Sequence, residues 1–270
     1  MAKIFEAERI VPAWHAAAQH LLGVSRHEDF NLVLEVRQPR LIAPEDRPLY
    51  KAVDEALKKK SNHTESLLTV MGTIFPQEFY LKYGRPAMYE KYRTMLNRGQ
   101  KPNTWGTYAD RMMTRAGKDG LSTINPLEIL IEKLKANMEP HRNAYRSSYE
   151  LGISDPESDM LPWYHIEDHG GEIPTYNVAL DANRLYGLPC LSHVSFKLIN
   201  HKFVNLVAIY RSHHYCSKGL GNLLGLARLQ SFVAKEAGLE AGTLTCISTH
   251  AVLDAGSWGG IKKAREILGG

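Results

Sequence analysis

The chain is short of cysteine, with only Cys190, Cys216 and Cys246 in 270 residues. Three thiols cannot build a disulfide framework, so a reducing, cytoplasmic setting is expected. Excess charge is also scarce: 33 Lys and Arg against 29 Asp and Glu leave a net +4. That is too little to argue for a nucleic-acid partner, though it is compatible with a small anionic substrate. No apolar run approaches the ~18 residues of a membrane span, and none is expected. Lys3, Glu6, Glu8 and Arg9 break up the N-terminus, which leaves no apolar centre for a signal peptide. There is no internal repeat, no low-complexity tract and no Gly- or Ser-rich linker. With 44% hydrophobic and 23% charged residues, what remains is a folded globular chain, expected as a single domain over 1–270.

The first half reads as helices. Pro12 opens a helix over 12–22, with Gly23 just past its end. A second spans 48–60, where Lys58, Lys59 and Lys60 suit the C-terminal dipole. Residues 65–71 and 86–97 continue the helical pattern. Asn125, Pro126 and Glu128 form a helix start that should run to about Asn137. Between the first two helices, 30–36 alternates as a strand. The second half changes character. Strands over 191–199 and 203–210 are joined at Asn200-His201-Lys202, a hairpin signature. A long apolar-faced helix over 220–237 ends at Gly238. A strand over 243–249 and a short helix over 261–268 follow. Helices first and strands later, without regular alternation, predict an α+β fold with a mixed sheet packed with helices.

Candidate chemistry concentrates late in the chain. Cys190 follows Pro189 at a strand start, Arg211-Ser212 follow the next strand, Asn222 opens the long helix and His250 follows the last strand. Together these are a thiol nucleophile, an anion-binding guanidinium with a hydroxyl, an amide able to read a base edge, and an imidazole.

These residues and their spacing resemble the thymidylate synthases and the related pyrimidine nucleotide hydroxymethylases. Leu188-Pro189-Cys190 is similar to the family's catalytic-cysteine segment. Arg211-Ser212 match its Arg-Ser about twenty residues on. Asn222, eleven after the arginine, matches the residue that reads the pyrimidine. Leu239-Glu240-Ala241-Gly242 resembles a Leu-x-x-Gly at the helix end, and Thr249-His250 match a Thr-His after the next strand. Upstream, Glu65-Ser66-Leu67-Leu68 with Gly72 fits the family's Glu-Leu-Leu segment, and Tyr108 in Trp105-Gly106-Thr107-Tyr108 fits its Tyr-Gly segment. Arg142 in Pro140-His141-Arg142 resembles a phosphate-binding arginine that crosses a dimer.

The resemblance implies a homodimer that transfers a one-carbon unit from 5,10-methylenetetrahydrofolate to C5 of a pyrimidine nucleoside monophosphate. Cys190 would add to C6 of the base. Arg211 would lower the thiol pKa and bind phosphate with Ser212 and the partner's Arg142. Asn222, His250 and Tyr108 would hold base and sugar. Glu65 would manage protons. Hydride capture of the resulting methylene gives a methyl group, and water gives hydroxymethyl. The sequence also departs from the family. His214 stands where an Asp contacts the folate, Lys218 fills a glycine slot, and Val252 and Ser248 replace a Tyr and an Asp flanking the His. The N-terminal Arg-Thr-Gly loop is absent, with Arg26 or Arg40 as substitutes. The short stretch after His250 lacks the family's closing tail, which favours water capture and so hydroxymethylation. Asn222 favours uracil over cytosine.

Other readings compete. In isolation Cys190 is a small buried apolar residue, Arg211 a strand-end arginine, Asn222 a helix cap, Glu65 a solvated carboxylate and Tyr108 a core aromatic. His165 and His169, flanked by Pro162 and Gly170-Gly171, read as loop rather than metal ligands. His213, His214 and Cys216 lack zinc spacing. Gly219-Leu220-Gly221 through Gly225 resembles a dinucleotide loop, the basis for a nicotinamide-dependent oxidoreductase as an alternative. A non-catalytic nucleotide-binding relative is the other.

Overall fold

The computed structural model describes residues 1–99, 106–116, 121–138, 149–153 and 189–269. Leu188, Trp105, Arg142, His165 and His169 lie outside the described residues.

The sheet is seeded at the hairpin. Asn200 and His201 both take positive φ (52° and 50°), and Lys202 N–H donates to Ile199 O at 3.0 Å. Such turns match the right-handed twist of the strands they join. They are β6 (Leu191–Ile199) and β7 (Phe203–Tyr210). The chain then crosses through α8 (Leu220–Ala237) to β9 (Glu240–Val252), which runs parallel to β7. At the N-terminus, β1 (Lys3–Ala7) and β2 (Glu28–Val36) pair in parallel, with α1 (Ile10–Gly23) between them in sequence. β2 pairs antiparallel with β9, and β5 (Glu150–Gly152) antiparallel with β6. The order is β1-β2-β9-β7-β6-β5, with a short β8 (His213–His214) beside the end of β9, while β3 (Arg115–Ala116) and β4 (Thr123–Ile124) form a separate antiparallel pair. This is the expected mixed α+β sheet packed with helices.

One face of the sheet carries the core. Leu32, Leu34, Val194, Phe196, Leu206, Ala208, Leu244 and Cys246 are fully or almost fully buried. α8 lies in the interior and is buried nearly all round, as its apolar composition demands. Of its two buried amides, Asn222 and Gln230, the latter donates to the carbonyls of Val204, Gly242 and Thr243. These lie where the β7–β9 register shifts between Val204 and Leu206. Thr243 N–H is met there by Asn205 Oδ1 at 3.0 Å.

The remaining helices are α2 (Arg47–Lys60), α3 (Leu67–Ile74), α4 (Gln77–Tyr83), α5 (Ala87–Gly99), α6 (Tyr108–Met113), α7 (Pro126–Ala136) and α9 (Ile261–Leu268). The Asn125 cap is made as expected, with Glu128 N–H donating to Oδ1 at 3.0 Å. Several boundaries differ from the sequence reading: α1 starts at Ile10 rather than Pro12, β2 at Glu28 rather than Phe30, and α5 runs to Gly99 rather than Asn97. Helix α3 begins at Leu67 because Ser66 accepts Thr69 N–H as its N-cap, so Glu65 sits in the turn before it. Strand β9 extends well beyond 243–249 because it has neighbours on both sides. Among the described residues no helix is long and apolar enough to cross a membrane.

α3 and α8 meet at two glycines. A Cβ on Gly221 would lie 2.6 Å from Val70 Cγ1, and one on Gly225 would lie 3.0 Å from Met71 O. Gly221→Ala therefore has to push α3 away and should destabilise the protein by about 1–3 kcal/mol. Thermal melting checks this, with a drop of several degrees expected; an unchanged midpoint would show that α3 yields freely.

Candidate active site

The site assembles at one end of the sheet, where β6 begins and β7 ends. Leu191 and Tyr210 are cross-strand partners, so the residues beyond them, Cys190 and Arg211, are neighbours. Arg211 N–H donates to Cys190 O, and Arg211 Nε–H to Pro189 O, both at 2.9 Å. A register irregularity between Leu191 and His193 follows at once, the kind of bulge that re-aims a side chain. Cys190 is half-buried, whereas Cys216 and Cys246 are buried. Burial pushes the Cys190 thiol above its ordinary pKa, while the Arg211 charge pulls it down. Tyr108, buried at the start of α6, adjoins this pair. Its phenol, pushed up to about 12 by burial, is hydrogen-bonded by the backbone of Cys190 and Leu191, and its ring meets Tyr210 edge-on at 6.5 Å.

From Tyr210 the contacts continue inward. The His213 ring stacks on Tyr210 at 4.0 Å and 6°. His213 Nδ1 lies 2.9 Å from Ser248 Oγ, and its Nε2 lies 3.1 Å from Asn222 Nδ2. All three side chains are buried. An amide nitrogen can only donate, so Nε2 accepts and the proton sits on Nδ1, donated to Ser248. Burial lowers the His213 pKa to about 3, helped by His214. The imidazole is neutral, as a buried ring without a carboxylate should be.

The turn into α8 is held from outside. Residues Tyr215–Gly219 form one π-helical turn, a form that often marks functional sites. Trp14 Nε1–H donates to Tyr215 O at 3.2 Å and Trp258 Nε1–H to Cys216 O at 3.0 Å. Asp254 accepts the Cys216 and Ser217 N–H groups at 2.8 and 3.2 Å. Lys218, on this turn, pairs with Glu65 at 3.1 Å. The pair is nearly half exposed, so its contribution to stability is small. The expected site residues therefore fall in linked positions: Cys190, Arg211 and Tyr108 together, Asn222 behind Tyr210 through His213, and Glu65 across from the turn by way of Lys218. Ser212 is half-buried between Arg211 and His213, and His214 is exposed on β8. His250 stands apart. It stacks on Phe30 at 5.0 Å and pairs with Glu28 at 3.2 Å. No hydrogen bond or ring contact joins it to Asn222 among the described residues.

The sequence reading missed His213 as a site residue, along with Ser248, Asp254, Trp14 and Trp258. Their roles depend on contacts up to 201 residues apart. The alternation of β7 gave no signal for His213: carried onward from buried Tyr210, that pattern would turn 212 and 214 inward, whereas His213 is the buried one. The glycines read as a possible dinucleotide loop are used for packing. A Cβ on Gly219 would come within 3.0 Å of Trp14, and Gly221 faces Val70, so helix and indole fill the space a pyrophosphate needs. Among the described residues no three His, Cys, Asp or Glu are grouped to hold a metal. A cleft of about 900 Å³ between α2, α3 and α8 is lined by Arg40, a stand-in for the absent N-terminal arginine, and by Leu239, Glu240 and Ala241, but by none of Cys190, Arg211, Asn222, Glu65, Tyr108 and His250. Its size is outweighed by the convergence of nucleophile, cation and amide elsewhere.

No family model matches the chain. Curated relatives do, and they carry the name "Putative thymidylate synthase". One from Methanococcoides burtonii is 27% identical over 175 residues, covering 64% of each chain. One from Methanosarcina barkeri is 34% identical over 170 residues, covering 63% of this chain and 62% of the relative. A third, from Methanosarcina mazei, is 34% identical over 71 residues. The match to the first relative thus takes in 64% of its length.

Two measurements check this geometry. Iodoacetamide should label Cys190 ahead of Cys216 and Cys246, with a rate still rising past pH 9; Arg211→Gln should slow labelling at fixed pH. Stability should also depend on His213. Its folded pKa lies below the unfolded value of about 6.5, so the unfolded chain binds the extra proton. The stability this histidine contributes is therefore complete above pH ~6.5 and is lost as pH falls towards 3. Melting temperatures from pH 7 to 4.5 should fall less steeply for His213→Phe than for wild type.

Proposed function

We propose that this chain, thymidylate synthase-like in sequence and in fold, transfers a one-carbon unit to C5 of a pyrimidine nucleoside monophosphate through a covalent Cys190 adduct at C6. The observation that carries this reading is the unbroken run of contacts from Cys190 and Arg211 through Tyr210 and His213 to Asn222. It supplies a nucleophile, an anion-binding group and a base-reading amide within one site.

The thiol attacks as thiolate. Because burial raises the Cys190 pKa, the charge of Arg211 has to offset it, and the half-buried position admits a ligand. Addition to C6 moves the C5–C6 electron pair into the ring as an enolate across C4, which makes C5 nucleophilic. The Arg211 Nε–H is already committed to Pro189, so its terminal nitrogens are the ones that take phosphate, with the Ser212 hydroxyl. Asn222 pairs with N3–H and O4 of uracil. Tyr108, held beside Cys190, shields the adduct from water and supports the base. Glu65 shuttles a proton near the base. His250 serves the sugar once its pairing with Glu28 is exchanged for a sugar hydroxyl. Arg142 reaches the phosphate of a partner copy.

The cofactor is held, on this reading, by the Glu65 carboxylate paired with the Lys218 ammonium, the exposed His214 imidazole and the exposed Leu68. This donor set suits an amphipathic polyanion with ring N–H groups, which a reduced folate is. When bound there, 5,10-methylenetetrahydrofolate supplies the one-carbon unit. A homodimer is supported by the sheet face opposite the helices, where Val33, Val207, Ile209, Thr245 and Ile247 stay partly exposed in adjacent strands. A contiguous half-apolar face of this kind is a candidate for burial against a second copy.

The test is one incubation with UMP, dUMP, CMP and dCMP plus methylenetetrahydrofolate, read by mass spectrometry beside a Cys190→Ala control. A product formed by wild type alone is expected, and its mass separates methyl from hydroxymethyl. Cys190→Ala should keep nucleotide affinity, and Arg211→Ala should weaken it about ten- to a hundred-fold. Binding without turnover by wild type would identify a non-catalytic nucleotide-binding relative. Turnover by Cys190→Ala would overturn the mechanism.

A further inference from the structure

We propose that His213 is a positioning residue that decides which pyrimidine the site accepts, by holding the Asn222 amide with its nitrogen turned inward. The proposal rests on the nucleotide reading given above and deepens it.

Asn222 has one hydrogen-bond partner among the described residues, the Nε2 of His213. One of its two amide hydrogens, assigned here as the one trans to Oδ1, is spent on that contact. Oδ1 and the cis hydrogen remain side by side for a ligand. An acceptor beside a donor, in that order, pairs with N3–H and O4 of uracil. Cytosine offers the reverse, a bare N3 and an N4 amine. Reading it requires the amide to turn over and bring Oδ1 against Nε2. The imidazole proton would then have to move from Nδ1 to Nε2, and the Ser248 hydroxyl would have to become a donor to Nδ1. Amide orientation and histidine tautomer are thus locked to each other, and each combination reads a different base.

The surroundings hold the ring in place. It lies flat on Tyr210 and against Tyr215, at 4.0 and 5.3 Å between centroids. Its two nitrogens are both engaged. Burial keeps the ring neutral at ordinary pH, so the doubly protonated form, which would aim an N–H at the Asn222 nitrogen, does not compete. A wrong base leaves two donors or two acceptors facing each other in a dry site, which is costly.

The test compares binding of UMP and CMP, and of dUMP and dCMP, to the whole chain by calorimetry. Wild type should prefer the uracil nucleotide by about ten- to a hundred-fold. His213→Phe keeps a flat ring on Tyr210 but removes both nitrogens, and it should erase most of that preference while retaining the affinity common to both bases. A preference left intact in His213→Phe overturns the proposal. The second measurement needs no variant: nitrogen-15 shifts of the imidazole in wild type. The Nδ1–H tautomer is expected in the free protein and with the uracil nucleotide, and a shift towards Nε2–H with the cytosine nucleotide. An Nε2–H tautomer in the free or uracil-bound protein overturns the proposal even if the variant does not fold. Nucleotide binding without uracil preference sinks this proposal alone, whereas no binding of any pyrimidine nucleotide by wild type also sinks the function it rests on.

Discussion

The candidate site depends on how the backbone of Tyr215–Gly219 is held. Two indoles, Trp14 from α1 and Trp258 near the C-terminus, donate to consecutive carbonyls, and Asp254 collects two consecutive N–H groups. The indoles themselves meet edge to face at 6.1 Å. A π-helical turn leaves backbone groups without regular partners, and buried groups of that kind must be satisfied. Side chains from opposite ends of the sequence do so here. The turn carries Lys218, precedes Asn222 by three residues and follows His213 by two. Its fixation therefore sets three side chains of the site at once.

The interior of the site is polar in a region that the rest of the sheet keeps apolar. His213, Ser248 and Asn222 sit among buried Tyr210, Tyr215 and Cys246. Such a trio survives burial because each member satisfies another, and a half-satisfied version would cost more than an apolar core. Neutral histidine is the form that low dielectric surroundings favour. Cys190, by contrast, is placed at a strand end beside an exposed guanidinium, where a thiolate can form. The structure separates the inert thiols, Cys216 and Cys246, from the accessible one by depth.

α8 links these features. Its first turns carry Asn222, its glycines admit α3 within contact, and that approach brings the Glu65 turn to Lys218. Further along, Gln230 ties the helix to the irregular stretch of β7 and β9. One buried helix thus sets the distance between the two halves of the chain, and its small residues determine how close they come.

Much of this was legible locally. The Asn200-His201 turn, the Asn125 cap, the 220–237 helix and the alternation of β6 and β7 follow from backbone preferences and periodicity, which act over a few residues. The spacing of Cys190, Arg211 and Asn222 also carried the family resemblance. The start of α3 and the length of β9 depart from the local pattern because a serine cap and pairing with two neighbours override it. The sequence by itself determined which residue types were available, a thiol, a guanidinium and an amide at set intervals. Only the tertiary structure decided that His213 rather than His214 turns inward, that Lys218 meets Glu65, and that His250 pairs with Glu28. Those choices rest on burial and on hydrogen bonds between residues far apart in sequence, and no local preference encodes them.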